Sequence, residues 1–79
     1  MDTELELIKK MDSNHRMIRE RFDVLQEKYA NEFVAIENGR VLDHDRDMRI
    51  LVKRLEMKRG DLTLVLVEFI PEKGTQILY

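Results

Sequence analysis

The chain contains no cysteine, no tryptophan, one proline, three glycines and a single serine. Without cysteine there are no disulfides and no thiolate metal sites, so a small core cannot be stapled covalently. Aromatic residues make up 6% of the sequence against 38% charged. That is little apolar payload for 79 residues, a length near the lower limit of an independently stable domain. A partner subunit can supply the missing burial. No apolar run approaches the ~20 residues that a membrane span needs, and Met1-Asp2-Thr3-Glu4 is acidic where a signal peptide is basic. The expectation is a cytoplasmic protein with no membrane partner. Fourteen lysines and arginines against sixteen aspartates and glutamates leave a net charge of −2, so no global field draws the chain to nucleic acid or anionic lipid.

Proline and glycine are also absent from residues 3–28, which predicts one long helix with Thr3 as its N-cap and Glu4 and Glu6 complementing the dipole of the first turn. Ile8, Met11, His15, Ile18, Phe22, Leu25 and Tyr29 step by three and four residues alternately, an a/d seam of about three heptads. Such a helix extends roughly 40 Å, more than a core of ~50 residues can cover. Its first half at least is therefore expected to pair with another chain in coiled-coil fashion, a second copy foremost, with the seam as the oligomer interface. Within that seam His15 is a register-setting polar residue or a pH-sensitive one. Asn31 can take a left-handed conformation and end the helix.

Asn38-Gly39 between two β-prone runs is a strong hairpin signal, because both residues accept the positive φ of a type I′ turn. The two-residue turn sets Glu37 opposite Arg40, Ile36 opposite Val41, Ala35 opposite Leu42 and Val34 opposite Asp43, with Glu37 and Arg40 as a cross-strand charge pair. Val34, Ile36 and Val41 then share one face and Phe33, Ala35 and Leu42 the other, a pattern suited to a sheet covered on both sides. Asp45 or Asp47 can cap a second helix over residues 48–59, which Gly60 ends. Met48, Leu51, Val52 and Leu55 form its core stripe, while Ile50 and Met57 fall well away from it. Residues 62–70 show no alternation before Glu68 and predict a central strand buried on both faces. Residues 71–74 make a turn, after which residues 75–79 can add a short fourth strand.

The expected fold class is therefore α+β. A long N-terminal helix in residues 1–29 serves oligomerisation, and residues 30–79 form a β-β-α-β core of three strands. A right-handed crossover puts the second and third strands parallel, with the first between them.

The run from Tyr29 to Asp47 resembles the opening of a small archaeal and bacterial family classed only as a domain of unknown function. The shared pattern is an aromatic followed by Val and Ala, a Gly turn with a basic residue after it, a hydrophobic pair and a His-containing segment. A helix and an apolar strand closing in a Pro turn follow, similar to residues 64–71. The likeness covers about fifty residues and leaves out the long N-terminal helix. Phe33 stands where the family usually has Trp, and Asp45 where it usually has a small residue. The resemblance implies a fold and assigns no functional residues.

Chemistry-bearing groups are few. Ser13 lies on the long helix, and neither a Gly-rich phosphate loop nor an H-E-x-x-H pattern occurs. The expectation is no enzyme, no cofactor and no metal. Asp43, His44, Asp45 and Asp47 are the one cluster with metal-ligand character, but they lack the Gly and distal Glu of an EF-hand-like loop and read as a helix cap in a solvated turn. Ile50 and Met57 are a candidate partner surface, since exposed apolar groups at helical spacing mark contacts or await cover by the same chain's long helix. The reading is thus a self-associating protein–protein interaction module with accessory function. The alternative is a dimeric, antitoxin-like nucleic-acid-binding regulator contacting phosphates through Arg46, Arg49 and Lys53.

Overall fold

Asn38 and Gly39, at φ 54° and 72°, reverse the chain between two strands as the type I′ signal requires. A computed structural model describes residues 4–74, with side chains from Ile8 onward. The elements in order are α1 (Glu4–Glu20), α2 (Phe22–Tyr29), β1 (Glu32–Glu37), β2 (Arg40–Asp45), α3 (Met48–Arg59) and β3 (Leu66–Ile70). Thr3, expected to cap the first helix, and residues 75–79, expected to add a fourth strand, lie outside the described residues.

The three strands lie in the order β2-β1-β3, and β1 is antiparallel to both neighbours. The second and third strands are thus parallel with the first between them, as the crossover argument required. The central strand, however, is β1. Residues 62–70 were expected to form a doubly buried central strand, but β3 begins only at Leu66 and lies at an edge among the described strands. The cause is local. The Asp61 carboxylate accepts both the backbone N–H of Thr63 (2.9 Å) and its hydroxyl (2.5 Å), and the Val65 N–H donates to the Leu62 carbonyl (3.0 Å). Those side-chain and turn bonds compete successfully with a strand ladder.

Helices cover both faces of the sheet. On one, Val34 and Ile36 of β1 and Ile70 of β3 close around Leu25, with Met17, Ile18, Tyr29 and Val41 against them. On the other, Ala35 packs under Leu51 and Leu55 of α3, with Phe33, Leu62, Val65 and Val67 alongside. The α3 stripe is narrower than expected: Val52 is half-buried and Met48 is exposed.

The long N-terminal helix is a correction. It is two segments that meet at Arg21, whose backbone (φ −116°, ψ 22°) leaves the helical region. Bonds from Arg21 N–H to the Met17 carbonyl (3.0 Å) and from Leu25 N–H to the Arg21 carbonyl (2.9 Å) carry the ladder across the bend. The buried polar residue of α1 is Asn14, one position before His15, which is exposed.

Asn14 is fully buried. Its Oδ1 accepts the Gly39 N–H of the hairpin turn (2.9 Å), and its Nδ2 donates to the Leu64 carbonyl before β3 (3.2 Å), with Met11 Sδ at 3.9 Å. One amide thereby joins α1 to two otherwise separate loops. At the far end, Asn31 (φ 61°) donates its N–H to the Ile70 carbonyl at 2.7 Å, and Gln26 donates to the Pro71 carbonyl at 3.1 Å.

Replacing Asn14 by Ala removes the partner of a half-buried donor at Gly39 and a half-buried acceptor at Leu64. The expected cost is about 1–3 kcal/mol of unfolding free energy, read from the urea midpoint at unchanged slope. A midpoint equal to that of the unsubstituted chain would show that the amide carries no weight.

Candidate functional site

The cluster of acidic residues around His44 acquires its geometry from one irregularity in the hairpin. Ile36 pairs with Val41 as the turn dictates, but Ala35 then pairs with Asp43 and Phe33 with Asp45, so Leu42 is an extra residue in β2. This bulge corrects the expected register of Ala35 with Leu42 and Val34 with Asp43. By shifting the alternation one residue, it puts Asp43 and Asp45 on the face that α3 covers and leaves Leu42 exposed. The pairing of Glu37 is also corrected: it stands opposite Arg40 in register, yet its carboxylate takes its hydrogen bond from Arg59 in the last turn of α3.

Two carboxylates under a helix need a cation, and Arg54, on the flank of the Leu51–Leu55 stripe, supplies it. Its Nε donates to Asp43 Oδ2 (2.7 Å) and its Nη2 to Asp43 Oδ1 (3.0 Å), a two-pronged contact. Nη1 donates to Asp45 Oδ2 (3.2 Å), and Nη2 also reaches the His44 carbonyl (2.9 Å). Arg54 holds the Asp43 carboxyl below the usual carboxylate range, against the opposing effect of its burial. For Asp45 the main lowering influence is the Asp47 N–H it accepts (2.8 Å), with Arg54 adding to it. The Asp43 hydrogen bond raises the Arg54 guanidinium in turn. Asp47 is the N-cap of α3, accepting from the N–H groups of Arg49 (2.9 Å) and Ile50 (3.3 Å), and Gly60 (φ 78°) closes the other end.

His44 turns the other way. Its Nδ1 lies 2.8 Å from Glu32 Oε1, and its ring sits 4.7 Å from that of Tyr29. Among the described residues, no group of three His, Cys, Asp or Glu side chains is arranged to hold a metal ion.

Arg46, Arg49 and Lys53 are all exposed, and together with Asp45, Asp47, Met48, Val52 and Glu56 they line an open trough of about 1090 Å³. Ile50 and Met57 stand on the adjacent outward face, 52% and 82% exposed. The long helix does not cover them, because α1 and α2 pack on the opposite face of the sheet.

The seven seam residues separate into two groups. Leu25 is in the chain's own core, Ile18 and Tyr29 pack against it, and Met11 and Phe22 are half-buried. Ile8 is 64% exposed and His15 is exposed.

Two participants went unrecognised in the sequence, Asn14 and Arg54. For Arg54 a signal existed: a helical Arg beside the core stripe, with Asp43 and Asp45 two apart on one strand face. For Asn14 the signal was weaker, a poor helix former three residues after Met11 and four before Ile18.

The lowered Asp43 pKa has a sign that can be checked. Its ionised form stabilises the fold at neutral pH, and that contribution is lost as pH falls through the carboxylate range toward the folded-state value. Arg54→Ala is expected to lower the melting temperature at neutral pH and to flatten its decline between about pH 5 and pH 2. Circular dichroism melts across that range are the check, and parallel declines in the two proteins would contradict it.

Among the described residues no helix is long and apolar enough to cross a membrane. No curated protein and no solved structure matches the chain significantly. A family model, a family of unknown function (DUF5678), matches residues 24–73, from within α2 through the hairpin, α3 and β3 to the turn that follows. The match spans more than half of the 79 residues, and the chain belongs to that family.

Proposed function

We propose that the protein is a non-enzymatic, cytoplasmic accessory module that works by protein–protein contact and associates with itself. One observation carries the reading: apolar side chains remain open although the sheet is already covered on both faces by the chain's own helices. Ile8 on the first turns of α1, and Met48, Ile50 and Met57 on α3, are exposed without being needed to close the core. Such groups are costly to leave in water and favour association. The interface narrows accordingly from the whole seam to Ile8, Met11 and His15.

Light scattering on the full chain is the direct test. Self-association is expected, and Ile8→Glu is expected to shift the population toward monomer without changing the circular dichroism spectrum. A monomeric unsubstituted chain at high micromolar concentration would defeat the proposal.

A second reading, a nucleic-acid-binding regulator, draws on the trough. Arg46, Arg49 and Lys53 are exposed together, while the adjacent Asp45 is paired with Arg54 and Asp47 caps the helix. Phosphate contacts of this kind are salt-sensitive and insensitive to base sequence. If this reading holds, a fluorescent duplex binds at low salt and is released as salt rises, and the triple replacement of those residues by Ala abolishes binding. Replacing Ile50 and Met57 by Ala leaves it intact.

A further inference from the structure

The α1–α2 pair is tied to the sheet unevenly. At the hairpin end the Asn14 amide fixes α1 to Gly39. Further along, α2 is held on its β3 side: Gln26 donates to the Pro71 carbonyl (3.1 Å), Glu27 takes the Lys73 ammonium (2.9 Å), and Asp23 acts on the same ammonium. On the β2 side the next contact beyond the hairpin turn and Val41 is Tyr29 against the His44 ring. Between those two ends a cleft stays open along β2.

The cleft has two halves that share Met17, Arg21, Gly39 and Arg40. The half at the hairpin, about 430 Å³, adds Ser13, Arg16 and one carboxylate, Glu20. The half beside α2, about 260 Å³, adds Lys28 and Tyr29 together with apolar Val24, Leu25 and Val41, and no carboxylate lines it. Three cations thus line one small space in a chain whose net charge is −2.

The fold leaves these cations without counter-charges. Glu37, opposite Arg40 in register, gives its carboxylate to Arg59. Asp23 and Glu27 are directed to Lys73, whereas Arg21, Val24 and Lys28, spaced by three and four residues, form the other flank of the helix. Among the described residues Arg21, Lys28 and Arg40 make no ion pair. Arg21 is also the residue at which the helix pair departs from helical geometry, so that break sits where the two halves of the cleft join. Val24, 46% exposed, presents apolar surface beside the charges.

We infer that this cleft binds a small organic phosphate, a phosphate monoester carried on an apolar or aromatic body. A carboxylate brings one negative charge, but a phosphate monoester brings close to two and offers three oxygens, which suit two guanidinium forks and an ammonium. The phosphate takes Arg21 and Arg40, common to both halves, with Lys28 adding to the field. The body lies against Val24, Leu25 and Val41. Together the two halves fall within the ~300–1,000 Å³ usual for small-molecule sites. The cleft lies on the α1–α2 face, away from the α3 trough, and shares no residue with it. It therefore adds a ligand-binding role to the contact function proposed above.

Isotope-edited NMR titrations of the full chain at low salt test this, with naphthyl phosphate, inorganic phosphate and neutral naphthol as probes. Saturable shifts are expected at the backbone N–H groups of Arg21, Val24, Lys28, Gly39 and Arg40. Naphthyl phosphate is expected to bind at least about tenfold more tightly than either of the other two probes, since each lacks one half of the recognition. Arg21→Gln combined with Arg40→Gln, both at exposed positions, is expected to weaken naphthyl phosphate by about tenfold or more. Arg49→Gln combined with Lys53→Gln in the trough is expected to leave its affinity within about twofold. Absence of saturable shifts, equal affinity for inorganic phosphate and naphthyl phosphate, or shifts as large at Arg46, Arg49 and Lys53 overturns the inference. The ranking of the probes on the unsubstituted chain decides the matter even if the double variant is destabilised, and a monomeric chain leaves the site standing.

Discussion

A single buried amide holds the architecture together. Asn14 is satisfied only when the hairpin turn and the loop before β3 stand on either side of α1, so its two hydrogen bonds fix three segments at once. Hydrophobic contacts set how much area each helix covers but are tolerant of sliding. A directional hydrogen-bond pair is less tolerant, because a small displacement leaves the buried Asn14 amide unpaired. The register of α1 on the sheet is therefore set by Asn14. Gly39 is suited to the approach: its φ of 72° is open to glycine, and a Cβ there would come within 3.2 Å of Ser13 Oγ.

The opposite face depends on a different kind of restraint. There α3 is held over β2 by Arg54, whose guanidinium meets two carboxylates and a carbonyl. Because these groups are only partly sheltered, their attraction is modest and pH-dependent, and the buried leucines supply the bulk of the cohesion. The arrangement also settles the local electrostatics. Two acidic side chains face inward to Arg54 or along the backbone to the helix cap, which leaves the outward surface of α3 basic in a chain whose total charge is −2. Net charge alone thus gives a poor account of what a partner would meet.

Much of the fold was legible from residue chemistry. The Asn38-Gly39 turn, the Asn31 stop, the Asp47 cap and the Gly60 end follow from local rules that operate over a few residues, and the strand order from the handedness of the crossover through α3. What escaped was decided by longer-range balances. The heptad reading of the N-terminal helix favoured apolar residues and chose His15 as a polar exception, whereas the buried polar residue is Asn14, whose partners lie 25 and 50 residues away. The break at Arg21 has no proline or glycine to announce it. An unbroken apolar run suggested that β3 was central, but hydropathy reports burial, and the loop before Leu66 gains its burial by packing on α3 rather than by pairing. The candidate site followed the same division. Exposure of Ile50, Met57, Arg49 and Lys53 agrees with helical periodicity, Arg46 is exposed in the bend before the helix, and the Arg54 bond with Asp43 and Asp45 required the bulge at Leu42, which the turn rules do not encode.

The bulge has a consequence for how the protein behaves in a crowded solution. A strand at the rim of a sheet offers unpaired backbone groups to any passing strand, and flat, apolar rims are the ones that nucleate fibrils. In β2 the extra residue bends the rim, and its neighbours Arg40, Asp43, His44 and Asp45 are polar or charged. In β3 the residues are Leu66, Val67, Glu68, Phe69 and Ile70, with one charge and no irregularity in their pairing to β1. Among the described strands the two rims are therefore unequal as templates: the β3 rim is regular and largely apolar, the β2 rim irregular and charged.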